Sequence, residues 1–208
     1  METRSGRKRQ RAVAATGDAT AEDHSFRETV AGHYATSAAN KRRLKWSIFF
    51  HYLLSFGMLA KLIPFFLDSL DIFILEIEEL DVPKPIMWEF VWLFSLPTSF
   101  FALDAGKRNK VSSLRNYMIG IIVLGYLPLV YGTFYWMWDV WTFLTADPWS
   151  TQGYFDLGKV VFWKDYPYGL LWYGFILLAL QVHSFSMYFS YKLMVAWKSR
   201  GSPRIRVD

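Results

Sequence analysis

The chain has 208 residues, no cysteine and a formal charge of +5, with 53% hydrophobic and 19% aromatic residues. The lack of cysteine excludes a disulfide framework, a thiol nucleophile and any Cys-ligated metal site. The basic excess is not a nucleic-acid footprint, because the charges segregate by connecting segment, as a membrane topology requires.

Residues 1–24 open with Arg4, Arg7, Lys8, Arg9 and Arg11 and continue rich in Ala, Thr, Asp and Gly. They hold too little apolar surface to bury a core and read as a disordered cytosolic tail. The run RKRQR has the form of a short nuclear-import segment, but a solvated tail is the plainer reading. No apolar core of a cleaved signal peptide follows, so the first span is expected to act as the uncleaved signal. Residues 25–45 start with Ser25-Phe26-Arg27-Glu28, a capping-box pattern, and place Phe26, Val30 and Tyr34 at helical spacing. This predicts a short amphipathic helix. It is closed by the basic collar Lys41-Arg42-Arg43-Leu44-Lys45, which suits anionic headgroups.

Four apolar segments follow at 46–67, 86–103, 117–138 and 168–191, each close to the length that crosses a bilayer. The last of them carries no Asp, Glu, Lys or Arg. Segment 68–85 is acidic, with Asp68, Asp71, Glu76, Glu78, Glu79 and Asp81 against Lys84. Segment 104–116 is basic, with Lys107, Arg108, Lys110 and Arg115 against Asp104. Segment 139–167 is long and polar, and its four Asp outnumber Lys159 and Lys164. Residues 192–208 form a basic tail with Lys192, Lys198, Arg200, Arg204 and Arg206. The positive-inside rule then puts both tails and 104–116 in the cytosol and leaves 68–85 and 139–167 on the lumenal side. The predicted fold is an all-α polytopic membrane protein with four transmembrane helices, the amphipathic helix before them and the disordered tail.

Ionisable groups inside spans are costly and mark sites of interest. His51 and His183 lie about 9 and 12 Å from the cytosolic ends of their spans, so they are expected to face each other with Gln181 nearby. Two His at unrelated positions make a weak metal site, and inter-helix hydrogen bonding is the favoured role. Lys61 and Glu89 lie about 9 and 5 Å from the lumenal ends of the first two spans, which predicts an ion pair; independent snorkelling is the alternative. Pro64, Pro97 and Pro128 are expected to kink their helices. No hydrolase, zincin, P-loop or dinucleotide-binding motif is present, so no catalytic residue, cofactor or metal is expected.

Several stretches carry a family resemblance: FRETVAGHY at 26–34, Leu59-Ala60-Lys61, LDIFILEIEEL at 70–80, Trp88-Glu89-Phe90, Pro128-Leu129-Val130-Tyr131 and Gln181-Val182-His183. Through them, residues 26–200 resemble jagunal, a small family of four-span endoplasmic-reticulum membrane proteins. The resemblance implies residence in that membrane among its lipids and a non-enzymatic role in organising the reticulum. It also implies vesicle traffic of the early secretory pathway, secretion, endocytic uptake in growing oocytes and partition of the reticulum at cell division. The COPI coat, met through the cytosolic tails, is the partner it points to. Arg204 and Arg206 fall third and fifth from the end, like a dibasic coat-binding tail with Arg in place of Lys; a solvated tail competes with that reading. The alternative function is a small channel or transporter using His51, Lys61, Glu89 and His183 as a polar path.

Overall fold

The computed structural model describes the backbone of residues 4–147, 149–150 and 157–200, and the side chains of these apart from 4–26, Thr29, His33, Ser199 and Arg200. Helix α1 runs from Arg4 to Ser69. After it come a one-turn helix α2 (Leu75–Glu78), α3 (Met87–Leu93), a 3-10 turn (Leu96–Thr98) and α4 (Ser99–Arg108). Then α5 (Val111–Gly120), a π-helical turn (Ile121–Tyr126) and α6 (Leu127–Thr145) form one continuous rod. A two-residue hairpin, β1 (Phe162–Trp163) and β2 (Tyr166–Pro167), leads into α7 (Tyr168–Arg200).

These elements make an antiparallel bundle. Ser37, His51 and Lys61 of α1 meet Trp197, His183 and Trp172 of α7, so the two helices run in opposite directions. The segment 87–108 also runs against α1. Glu89 lies at Lys61, Ser95 and Ser99 at His51, and Ala102 and Ala105 in the cluster with Leu44 and Ile48. One end of the bundle carries the connections 70–86 and 157–167, which dock on each other. The Trp163 indole N–H donates to the Leu80 carbonyl, and the Lys164 ammonium to that of Glu79, both at 2.9 Å. The other end carries the tails and the Asn109–Lys110 turn, where Asn109 (φ 55) closes α4 in the left-handed cap position that Asn tolerates.

The bundle is inverted relative to a water-soluble one. The buried face of α1 includes Ser37, Asn40, Ser47, His51 and Ser55, whereas Phe49, Phe50, Leu53 and Phe56 point outward. An apolar exterior around a partly polar seam is what a hydrocarbon solvent selects. Among the described residues, three helices are long and apolar enough to cross a membrane: Val30–Ser69, Val111–Thr145 and Tyr168–Lys198.

The structure departs from the sequence reading in several places. Residues 4–24 are helical rather than disordered, and no separate amphipathic helix precedes the first span; one helix covers tail, collar and span. Arg7, Lys8, Arg9, Gln10 and Arg11, and after them Ala12, Ala14, Ala15, Ala19 and Ala21, are strong helix formers, so helix does not need an apolar face there. Tyr34 is exposed, and Ser37, Asn40 and Leu44 form the inward face. The helices also run past the charges at 104–108, 111–116 and 192–198, because a helix satisfies its backbone internally in water as well as in lipid.

The prolines act in three ways. Pro64 lies within α1, which continues past it to Ser69. Pro97 sits in the 3-10 turn that divides the segment 87–108, so neither half reaches spanning length alone. Thr98 Oγ1 donates to the Ser95 carbonyl at 2.6 Å, which satisfies a backbone group at the break. Pro128 follows the π turn, whose wider loop relieves the clash between a proline ring and the carbonyl four residues earlier.

Candidate functional site

Two polar ties cross the bundle interior. Near the loop end, the Lys61 ammonium forms a hydrogen-bonded ion pair with Glu89 Oε2. The Glu89 side chain is 0% exposed and that of Lys61 14%. Glu89 is the third residue of α3, and its other oxygen accepts the Ile86 backbone N–H at 3.2 Å. It therefore caps the positive end of that helix as well as neutralising Lys61. The Lys61 ammonium lies 5.5 Å from the Trp172 ring centroid, a cation–π distance. One side chain thus joins α1, α3 and α7.

The second tie is a buried layer at mid-bundle. The His51 and His183 rings meet edge to face with centroids 4.8 Å apart. His51 Nε2 is 2.9 Å from Ser95 Oγ, and its Nδ1 is 3.4 Å from Ser99 Oγ. Ser95 and Ser99 lie on either side of Pro97, so the break in that segment turns both hydroxyls toward one imidazole. The Trp92 indole N–H donates to His183 Nε2 at 3.1 Å, which in the neutral ring leaves the proton on Nδ1. Tyr126, the last residue of the π turn, places its ring 5.8 Å from His183 and its hydroxyl 2.9 Å from Ser184 Oγ.

Room for this layer comes from glycine. A Cβ at Gly125 would lie 3.0 Å from His183 Nε2, and one at Gly132 would lie 2.9 Å from the Trp88 ring. The two are seven residues apart, hence on one face of the helix, and small residues at such spacing let membrane helices approach closely.

The structure therefore brings together His51 with His183, and Lys61 with Glu89. Gln181 does not join the histidine layer and is exposed. It is two residues from His183, about 200° around the helix, so both cannot face inward. Arg204 and Arg206 lie outside the described residues. The sequence reading missed Trp92, Ser95 and Ser99 as partners of the histidines; the i, i+4 spacing of the serines around a proline was the available signal. It also missed Gly125 and Gly132, whose heptad spacing was legible.

Ser95 beside His51 looks like the start of a nucleophile–base pair, but the third member is a serine hydroxyl rather than a carboxylate. Both Ser95 and His51 are fully buried. No group of three or more metal-ligating side chains occurs among the described residues. The arrangement suits cross-linking of helices.

The fold and these ties define a class: a helical membrane protein, apolar outside, whose interior is held by hydrogen bonds and the Lys61–Glu89 ion pair. Comparison with known proteins narrows it. The family model described as "Jagunal, ER re-organisation during oogenesis" matches residues 6–201, more of the N-terminal region than the resemblance at 26–200 covers. The chain is 50% identical to protein jagunal of Drosophila melanogaster over 182 residues, 88% of this chain and 91% of that protein. The same figures hold for protein jagunal of Drosophila pseudoobscura pseudoobscura. It is 32% identical to the jagunal homolog of Caenorhabditis elegans over 192 residues, 90% of this chain and 95% of that protein. The chain belongs to the jagunal family.

Proposed function

We propose that this chain is a non-enzymatic protein of the endoplasmic-reticulum membrane that organises the reticulum and supports vesicle-mediated transport in the early secretory pathway. Membership of a family described by reticulum re-organisation during oogenesis carries this reading. In this reading the chain crosses the bilayer four times with both ends in the cytosol. The fourth crossing is the broken segment 87–108, which follows α1 from the level of Lys61 to that of Leu44 although its halves are short. The Lys and Arg of the tails and of 104–116 support the orientation. The protein acts through its cytosolic tails, where a COPI-type coat is the proposed partner, and through its lipid-facing helix surfaces.

Two experiments test this, and a third tests the channel alternative. A glycosylation acceptor engineered at Gly153 should be modified and one at Gly6 should not; the reverse pattern overturns the orientation. In cells lacking their own family member, the full chain should restore reticulum distribution and secretion of a reporter. A chain that reaches the reticulum and restores neither contradicts the function. Ion flux through reconstituted vesicles, abolished by His183→Leu, would favour a channel instead.

A further inference from the structure

Lys61 sits between two cavities of opposite character. Toward the loop end, a pocket of about 400 Å³ lies between the end of α1 and the connection after α2, with Asp68, Glu78, Asp81 and Lys84 in its lining. On the membrane-facing side, an apolar groove of about 260 Å³ lies between α1 and α7, lined by Gly57, Met58, Leu171 and Phe175. Lys61 belongs to both linings, as their common wall. The groove wall also includes Tyr168 and Trp172, 5% and 6% exposed, whose hydroxyl and indole N–H make no hydrogen bond of ordinary geometry among the described residues.

We propose that the two cavities are one binding site for a glycerophospholipid with a zwitterionic, amine-bearing headgroup. An acyl chain lies in the groove between α1 and α7. The ester and phosphate oxygens reach Lys61, whose ammonium carries three donors and gives one to Glu89. The Tyr168 and Trp172 rings wall the groove beside it. The headgroup amine occupies the polar pocket, where the three carboxylates of Asp68, Glu78 and Asp81 outnumber the ammonium groups of Lys84 and Lys61, the latter already paired with Glu89. This balance attracts a cation and repels a headgroup with net negative charge. The site needs the chain to lie in a bilayer and does not depend on the proposed role in traffic, so the two fail separately.

The test uses the full chain in nanodiscs carrying a phosphatidylethanolamine with a photoactivatable acyl chain, read by mass spectrometry of the labelled peptides. Label should concentrate on residues 57–68 and 168–175. A Cβ at Gly57 meets nothing within 4 Å, so Gly57→Phe has room to leave the helix and direct its ring into the groove. It should cut labelling about tenfold at an unchanged melting temperature; Leu171→Trp on the opposite wall serves if that variant misfolds. Asp68→Asn with Asp81→Asn should weaken labelling by this probe and spare labelling by a phosphatidylglycerol probe. Label spread evenly over the outward faces of all the helices, or indifferent to both groove-filling variants, overturns the site. Equal or stronger labelling of the unaltered chain by phosphatidylglycerol overturns its specificity for an amine headgroup.

Discussion

The Lys61–Glu89 pair and the His51–His183 layer both join α1 to α7 and to the broken segment 87–108, yet they do so with different chemistry. The first holds two opposite charges, one of them fully buried; the second is a set of shared protons among imidazoles, hydroxyls and an indole. A buried charge without its partner is far more costly than a lost neutral hydrogen bond. The loop-end tie should therefore respond to substitution in large, asymmetric steps, and the mid-bundle tie in small ones.

The largest effect is expected from Lys61→Met. It leaves the Glu89 carboxylate, which has no exposed surface, without its cation, at a cost of about 3–5 kcal/mol in unfolding free energy. Glu89→Gln should cost less, because Lys61 is partly exposed and its long chain can move its ammonium toward the interface. Equal costs for the two would break the asymmetry. Gly132→Leu comes next: its side chain would have to displace the Trp88 ring, and overpacking of this kind costs about 1–3 kcal/mol. A melting temperature equal to that of the unaltered chain would show that the helices are not held at this distance.

Trp92→Phe sharpens the comparison from the other side. It keeps the ring and removes only the donor to His183, so the loss should be about 0.6–1.7 kcal/mol, the range for inter-helix hydrogen bonds in membranes. A loss as large as that of Lys61→Met would mean that the layer works as a cooperative network rather than as separate bonds. The smallest effect is expected from Gln181→Leu, which alters an outward residue and should shift stability by less than about 0.5 kcal/mol.

The residues explain why some of this was legible in the sequence. Lys61, Glu89, His51 and His183 stand out because a polar group in an apolar run is rare, and counting 1.5 Å per residue fixes its depth. Depth predicts which levels meet. It says less about which side of a helix a residue takes, which is why Gln181 was grouped with His183. Serines are too common to stand out, so Ser95 and Ser99 emerge only once the Pro97 break turns them toward His51. The π turn before Pro128 has no composition of its own. Helix ends were misplaced because charge marks the edge of an apolar run, whereas hydrogen bonding marks the end of the helix, and α4, α5 and α7 continue through Lys107, Arg115 and Lys192.

The claim that interior polar residues are partners rather than independent groups is tested most directly by a double-mutant cycle on Lys61→Met and Glu89→Gln, read as unfolding free energy of the full chain in one detergent. If the pair ties α1 to α3, the double variant, with neither charge left to bury, should be more stable than the summed single losses imply, with a coupling of about 2 kcal/mol. Additivity within about 0.5 kcal/mol would contradict the account and leave each residue to reach the interface by itself.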